Sequence, residues 1–484
     1  MIRYMNILAF TIVGMLMLTG CEDKKVDYNI NNFGGDVITE YGENGGEINE
    51  SKATEIEATT EKNFDQNVLV QKLGIPESVN VELSTEGTLL KKITVETEHV
   101  SVPDKDKMYT KEYTLMAFSD EDKENVLRAI FDEDTGVHNS PGESALTEQY
   151  VDIILKNKDD ILDMSADDFI GKIDGEIFLV HFISPEWSVN SGIQISRVFD
   201  EEIPEELQSL QAEHITYGVF GDGGEALMSE EEKKAMEGLD KVENKCGMTV
   251  KDAELKSLEY FDRWNLWDVK EISARETYRE YRDAGYNMIQ TEMYGYRIDF
   301  VAAINGEAVY QPKANNIDTL RAKKMDESSI DQYYNSELST YGININDNGI
   351  VSFSCMWPMK TKDELHEVDN LISWDEAMEN LKAIIPVHFE GYEGYSEVRF
   401  DDVRLTYFRT KTGDGTYEVI PVYVFAQSLD YVELDDAQSV TKQTEPVQLI
   451  MIDARTGEEV DIVQDESRIG LKSKQGLNTD EEVE

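Results

Sequence analysis

Tyr417-Glu418-Val419-Ile420-Pro421-Val422-Tyr423-Val424-Phe425 is the stretch on which the fold turns. It is almost wholly β-branched or aromatic, as a strand would be. Two more strands of the kind flank it, Val403 to Arg409 and Val447 to Asp453. The last turns through Thr456-Gly457 into Glu458 to Ile462. A helix precedes the group. Ser373 caps it, Ala377, Leu381, Ile384 and Ile385 face inward, and Pro386 is expected to follow its end. A helix and then successive strands, without regular strand–helix alternation, predicts an α+β fold of antiparallel sheets packed with helices.

The same grammar extends upstream. A helical stretch at Lys251 to Trp264 precedes a strand, Tyr294 to Ile304. Asn305-Gly306 turns that strand into Glu307 to Gln311, and Asn-Gly between apolar runs is a strong hairpin signal. Ile350 to Trp357 adds a strand after Asn348-Gly349. Ile298-Asp299-Phe300 through Gly306-Glu307-Ala308-Val309 parallels Ile450-Met451-Ile452 through Gly457-Glu458-Glu459-Val460. Two readings stand: a degenerate tandem repeat of a helix-plus-sheet unit, or two hairpins alike by chance. Asn344, Asn346, Asn348 and Gly349 imitate the start of a calcium loop. Cys355 then falls at the twelfth position, where a bidentate Glu is needed, so the segment reads as a hairpin turn.

In the first half, Leu89 to Val102 reads as a strand ended by Pro103, and Tyr109 to Phe118 as another. Ser119 with Asp122 resembles a capping box opening a helix through Val126, Leu127, Ile130 and Phe131. Ser144 to Leu162 has helical spacing and Glu176 to Ser184 returns to strand. A helix opening at Ser229 is expected to stop at Gly247. The resulting division is a leader at 1–20, an acidic tether at 21–62, an α+β domain at 63–247, a second at 248–465, and a polar tail at 466–484.

The chain begins with Arg3 and an apolar run of twelve residues, Ile7 to Leu18. A membrane-spanning helix needs about 20 residues, so this is read as a leader. Leu18-Thr19-Gly20-Cys21 resembles the lipobox of bacterial lipoproteins, in which Cys21 would carry the lipid and become the new N-terminus. A plain signal-anchor that ends in cysteine is the alternative. The segment from 22 to 62 holds eleven acids and four lysines among Gly, Asn and Thr, the composition of a flexible tether. Overall, 45 basic and 99 acidic side chains leave a formal charge of −54. Nucleic acid is thereby disfavoured as a partner, because its phosphates require Lys and Arg. The anchoring partner would be the membrane, held through the N-terminal lipid.

No Gly-x-Ser-x-Gly elbow, phosphate loop or His-Glu-x-x-His zinc helix occurs, so no catalytic residue, metal or cofactor is assigned. His99, His138, His181, His214, His366 and His388 are scattered singly, and His181 sits in an apolar run as a core or edge residue. Cys246 and Cys355 either form one bridge or stay as free thiols. Tyr260, Phe261, Trp264 and Trp267, followed by Tyr278, Tyr281, Tyr286, Tyr294 and Tyr296, read first as packing residues. Tyr392 and Tyr395, in a Gly-Tyr loop between helix and strand, are the candidate ligand-binding pair.

Leu405, Tyr407, Tyr417, Ile420, Pro421, Val422, Tyr423, Phe425, Ile452, Asp453, Ala454, Thr456, Gly457 and Glu458 together resemble the C-terminal part of PepSY-like domains. The YycH/YycI group of membrane-attached regulators shares the pattern. The whole chain is similar to an uncharacterised family of lipoproteins from Gram-positive bacteria. YycH and YycI proteins carry a transmembrane helix where this chain has a lipobox. The resemblance implies a regulatory or inhibitory role. The expectation is therefore an extracytoplasmic, lipid-anchored, non-enzymatic module that binds an envelope protein or peptide. The competing readings are an envelope hydrolase using paired carboxylates and a substrate-capture lipoprotein of a transporter.

Overall fold

A computed structural model of the chain describes residues 64–116, 118–133, 135–140, 151, 155, 163–183, 191–198, 203–219, 242–285, 287–311, 339–361, 364–390, 397–413, 416–427 and 448–460. In chain order the elements begin with α1 (Val68–Leu73), β1 (Val79–Leu83), β2 (Lys92–Thr97) and β3 (Tyr109–Leu115). Next come α2 (Asp120–Ile130), β4 (His138–Asn139), β5 (Asp168–Ile173), β6 (Glu176–Ile183), β7 (Gly192–Arg197), α3 (Glu205–Gln208) and β8 (His214–Val219). Then follow α4 (Val250–Trp264), β9 (Val269–Arg282), β10 (Met288–Ile304), β11 (Glu307–Ala308), β12 (Thr340–Asn346), β13 (Gly349–Met356) and β14 (Met359–Thr361). The remainder is β15 (His366–Glu367), α5 (Trp374–His388), β16 (Glu397–Phe400), β17 (Asp402–Gly413), β18 (Thr416–Ala426) and β19 (Leu449–Asp453). The expected α+β class, with antiparallel sheets and few helices, holds.

The described residues fall into two compact units that interleave along the chain. Residues 115–302 and 339–360 make the first; 64–114, 303–311 and 361–460 make the second. This differs from the boundary expected at 247/248. Its physical reason is strand pairing: β7 pairs with β13, and β2 with β16, so each unit draws strands from both halves. Composition and turn signals mark segments but not their partners.

In the first unit the strand order is β4-β5-β6-β7-β13-β12-β10-β9-β8. Helix α4 covers one face. Thr249 and Asp252 form a capping box at its start, and Asn265 closes it in the left-handed conformation. Its buried Tyr260, Phe261 and Trp264 meet a bed of aromatic side chains from the sheet. Phe261 lies 4.8 Å from Phe300, and Trp264 lies 5.2 Å from Phe353, both edge-to-face. Trp267 stacks on Phe353 at 5.8 Å. Tyr260, Phe261, Trp264 and Trp267 are thus core packing, as expected, while Tyr286 lies outside the described residues. Val151 and Leu155 are buried with Ile170 and Ile177; the rest of the expected 144–162 helix lies outside the described residues.

In the second unit β1-β2-β16 form one sheet, and β3-β18-β17 the other, with β19 on β18 and β15 on β3. Strand β18 is buried on both faces, which explains its near-continuous apolar run. Trp374 of α5 lies 6.1 Å from Tyr423 and 6.0 Å from Phe425 on one side. On the other, Ile420, Val422 and Val424 join Phe408, Leu449 and Met451. Pro421 is tolerated at the centre of this strand for a definite reason. Its carbonyl accepts from Ala454 N–H at 3.0 Å, which aims its donorless nitrogen at the same edge. On that edge β3 pairs only up to Val419 and β19 begins at Val422, so no donor is required between them.

Other expectations are corrected. Helix α5 does not end before Pro386 but runs through it to His388. The proline sits in the last turn, where the carbonyl that loses its partner belongs to exposed Lys382 and is solvated. Residues 243–248 are not helical and Gly247 is no helix stop; its N–H donates to Asp347 Oδ2 at 2.8 Å. Residues 229–241 lie outside the described residues. The two hairpins of the suggested repeat turn differently. Asn305 and Gly306 both have positive φ (53° and 73°) in a two-residue turn. The second instead closes through Gly457 N–H donating to Asp453 O at 2.8 Å and Asp453 N–H to Glu458 O at 2.9 Å. Asn346 pairs with Gly349 across the β12–β13 turn, the hairpin read at the false calcium loop.

Candidate functional site

The face of the first unit's sheet opposite α4 is built by alternation. Where Ile343, Phe353 and Ile298 point to the buried side, their neighbours are polar. Residues opposite one another in antiparallel strands share a face, so the register can be followed across the sheet. One row runs Asp168, His181, Gln194, Ser354, Gly342, Asp299 and Ser273. The next runs Ser196, Ser352, Asn344, Arg297 and Arg275.

Asp299 is the hub. Its side chain is 9% exposed, and one oxygen accepts from Arg297 Nε at 2.7 Å. The other accepts from Arg275 Nη2 at 2.8 Å and from Ser273 Oγ at 3.1 Å. Burial pushes its carboxyl up, but the two arginine charges outweigh this and hold it below the ordinary aspartate value. Arg297 also donates from Nη2 to Ser354 Oγ at 3.1 Å. Its guanidinium lies over Gly342, where an added Cβ would fall 1.8 Å from Nη2. Glycine is therefore what lets the planar group rest against β12. Beside it, Asn344 Nδ2 donates to Ser352 Oγ at 2.8 Å.

Arg297, Asp299, Thr340, Ser354, Ile272 and Met356 border a small, partly enclosed hollow of about 20 Å3. That is room for about one water molecule, well below the clefts that hold small substrates.

A second charged cluster occupies the β9–β10 end of the sheet. Glu292 accepts from Lys245 Nζ at 2.6 Å, from Tyr281 Oη at 2.7 Å and from Arg279 Nε. Burial raises that carboxyl and these donors more than reverse the effect, leaving it low. Arg279 also stacks 3.6 Å from the Tyr294 ring centre. Each charged group here is engaged by a partner, so this is a structural clamp.

Helix α4 and strand β9 bring two carboxyls together. A register shift between Asp299 and Phe300 sets Glu271 opposite Phe300, on the helix face, where it hydrogen-bonds Glu254. Burial, then the charge and hydrogen bond of Glu254, push Glu271 up to about 7. In the second unit His388 is 2% exposed and its Nδ1 lies 2.8 Å from Glu459 Oε1. His181 pairs with Asp168 at 2.8 Å, at the end of the polar row.

Cys21, Tyr392 and Tyr395, the residues singled out from sequence, lie outside the described residues. Cys246 and Cys355 are both buried free thiols. Cys355 sits in the β13 core, and the Cys246 thiol donates to Asp347 Oδ1 at 3.4 Å. Sequence reading passed over Arg275, Arg297, Asp299, Gly342 and Ser354. The available signal was Arg-x-Asp inside the otherwise apolar Tyr296–Ile304 stretch, but its partners on β9, β12 and β13 are visible only through the register.

No family model matches this chain, and no curated protein matches it. A crystal structure of an uncharacterized protein from Eubacterium rectale aligns over 83% of this chain and 99% of its own, with 12% identity and a TM-score of 0.33. Among the described residues, no helix is long and apolar enough to cross a membrane.

Proposed function

We propose that this chain is an extracytoplasmic lipoprotein, anchored through Cys21, whose body is a non-enzymatic binding or regulatory module for an envelope protein or peptide. The observation that carries the binding role is the polar sheet face: a guanidinium held by Asp299 and Ser354 against Gly342 at the border of a small hollow. A preorganised group loses little entropy when it engages a partner. The leader motif supports the location, and the likeness of residues 403–458 to PepSY-like domains supports a regulatory role. With a formal charge of −54, the body would steer partners with basic surfaces and repel acidic ones.

The test is in-cell crosslinking of the tagged, lipidated protein followed by mass spectrometry, with a Cys21→Ser variant in parallel. Capture of one envelope protein by the wild type, and loss of membrane attachment in Cys21→Ser, is the expected outcome. Membrane retention of Cys21→Ser would remove the anchor. Capture no different from that of an unrelated lipid-anchored control would remove the binding role.

A hydrolase reading finds its best support in Glu254 and Glu271, one of them raised to about 7. Paired glycosidase carboxyls stand about 5–9.5 Å apart to admit a sugar carbon or a water. These two hydrogen-bond each other directly, which favours a shared proton over catalysis.

A further inference from the structure

Trp357 and Phe118 have backbone φ of 48° and 52°, in the left-handed region that large aromatic residues avoid. Trp357 is doubly disfavoured there, because Pro358 follows it and a residue before proline prefers extended backbone. Both side chains are buried. Conformations of this kind persist only where the surroundings over-determine them. Around Trp357 the surroundings are a closed ring of hydrogen bonds. Trp357 N–H donates to Ser191 O at 2.7 Å, Ser191 Oγ to Met116 O at 2.8 Å, and Met116 N–H to Pro358 O at 3.0 Å. Ser339 Oγ adds a further bond, to Trp357 O at 2.6 Å. Trp357 and Pro358 are consecutive, so turning Trp357 to extended backbone changes the angle between its N–H and the Pro358 carbonyl. The bonds to Ser191 and Met116 then cannot both survive, and the ring opens as a unit.

The ring is joined to the start of α2 at two places. Phe118, two residues after Met116, directly precedes the cap Ser119, whose Oγ accepts from Asp122 N–H at 3.2 Å. Lys360, two residues after Pro358, donates from Nζ to Asp122 Oδ1 at 2.6 Å. Asp122 is the other member of that capping box, so both chain segments of the ring run on into one helix cap. All of these residues belong to the first unit. We infer that Trp357 is a two-state latch: its left-handed form closes the ring and seats the first turn of α2, and its extended form opens the ring, turns the indole out of its packing and loosens that turn. The latch is independent of the binding-module reading, since none of these residues lies in the polar rows of the sheet face.

The test uses the full chain labelled with 5-fluorotryptophan, in which Trp357→Phe assigns the Trp357 fluorine signal among the five tryptophans. Saturation transfer is expected to show that signal exchanging with a minor one that holds about 0.1–10% of the protein. Ser339→Ala removes one bond to Trp357 and leaves the ring itself intact, and should raise the minor fraction about fivefold. Hydrogen exchange at the Asp122 and Lys123 amides should quicken by a similar factor, with Ile343 and Phe353 unchanged. Trp357→Gly and Trp357→Ala both remove the indole. Glycine is at ease at positive φ, so the glycine variant should keep the Asp122 amide about fivefold better protected than the alanine variant. Better protection in the alanine variant overturns the strain on which the latch depends. A single Trp357 signal without exchange in the wild type overturns the latch, whether or not any variant folds. Exchange at Trp357 with the α2 amides unmoved by Ser339→Ala overturns its coupling to the helix.

Discussion

Asp299 shows how one carboxylate organises a sheet face. Arg275 and Arg297 are directly opposite on β9 and β10, a repulsive pairing that its two oxygens convert into a clamp. Asp299→Asn removes the charge and leaves both guanidinium groups facing each other in a poorly solvated place. Breaking a buried pair in this way costs about 3 kcal/mol, to be read from urea unfolding at neutral pH. Because the native carboxyl is held below its ordinary value, that advantage over Asp299→Asn is present at neutral pH. It fades as pH falls below the ordinary carboxylate range, and a difference that stayed constant into acid would refute the clamp. Glu271 has the opposite sign. An acid raised to about 7 on folding contributes most below its unfolded value, and the contribution is lost as pH rises through 7. Glu271→Gln imitates the protonated form. It should leave stability unchanged near pH 4 and raise it by on the order of 1 kcal/mol above pH 8, after discounting for solvent screening. Equal effects at both pH values would show that Glu254 and Glu271 do not share a proton. Neither cluster was legible in the sequence, since each depends on residues that only strand register or a bulge brings together.

At the scale of elements, helix starts were legible, while of the helix ends Trp264 was read correctly and the end at His388 was not. Ser119 with Asp122 and Ser373 with Glu376 form capping boxes in the structure, and both helices begin where those residues place them. A cap is a local bargain between a side chain and the next turn's N–H groups, so sequence suffices to see it. Pro386 misled because its penalty depends on position. In the last turn it forfeits one hydrogen bond from a carbonyl that water reaches, and burial of Ile385 and His388 holds the turn in place. Pro386→Ala restores that bond and should raise stability by about 1 kcal/mol, less than the roughly 3 kcal/mol of a mid-helix proline. No gain in thermal unfolding would mean that the ring's own contacts offset the missing bond. Strands with one apolar face or two, such as β6, β13, β17 and β18, were readable from their apolar runs. Strand β9 was not. Val269–Arg282 is rich in Glu and Arg and half-buried along most of its length, so it has neither an alternating nor a helical signature. It is a strand because β8 and β10 supply its hydrogen bonds.

The whole molecule inverts the domain reading. A boundary at 247/248 is where the chain changes local character, yet both units straddle it. The first unit needs β7 beside β13 and β8 beside β9, pairs that join residues 192–219 to residues 269–356. The second needs β2 beside β16 and β3 beside β18, pairs that join residues 92–115 to residues 397–426. Contacts this far apart in sequence are costly to close and are rewarded only when both partners are present. A fragment of residues 248–465 would therefore present the open edges of β9, β13, β16 and β18 to solvent, a template for aggregation rather than a domain. It should show neither a cooperative thermal transition nor dispersed amide resonances, and residues 63–247 should fail in the same way. Co-expression of the two fragments should restore a soluble complex, because every broken pair is then available in trans. Independent folding of residues 248–465 would show that strand pairs within that half suffice, and would return the division to the place where composition alone put it.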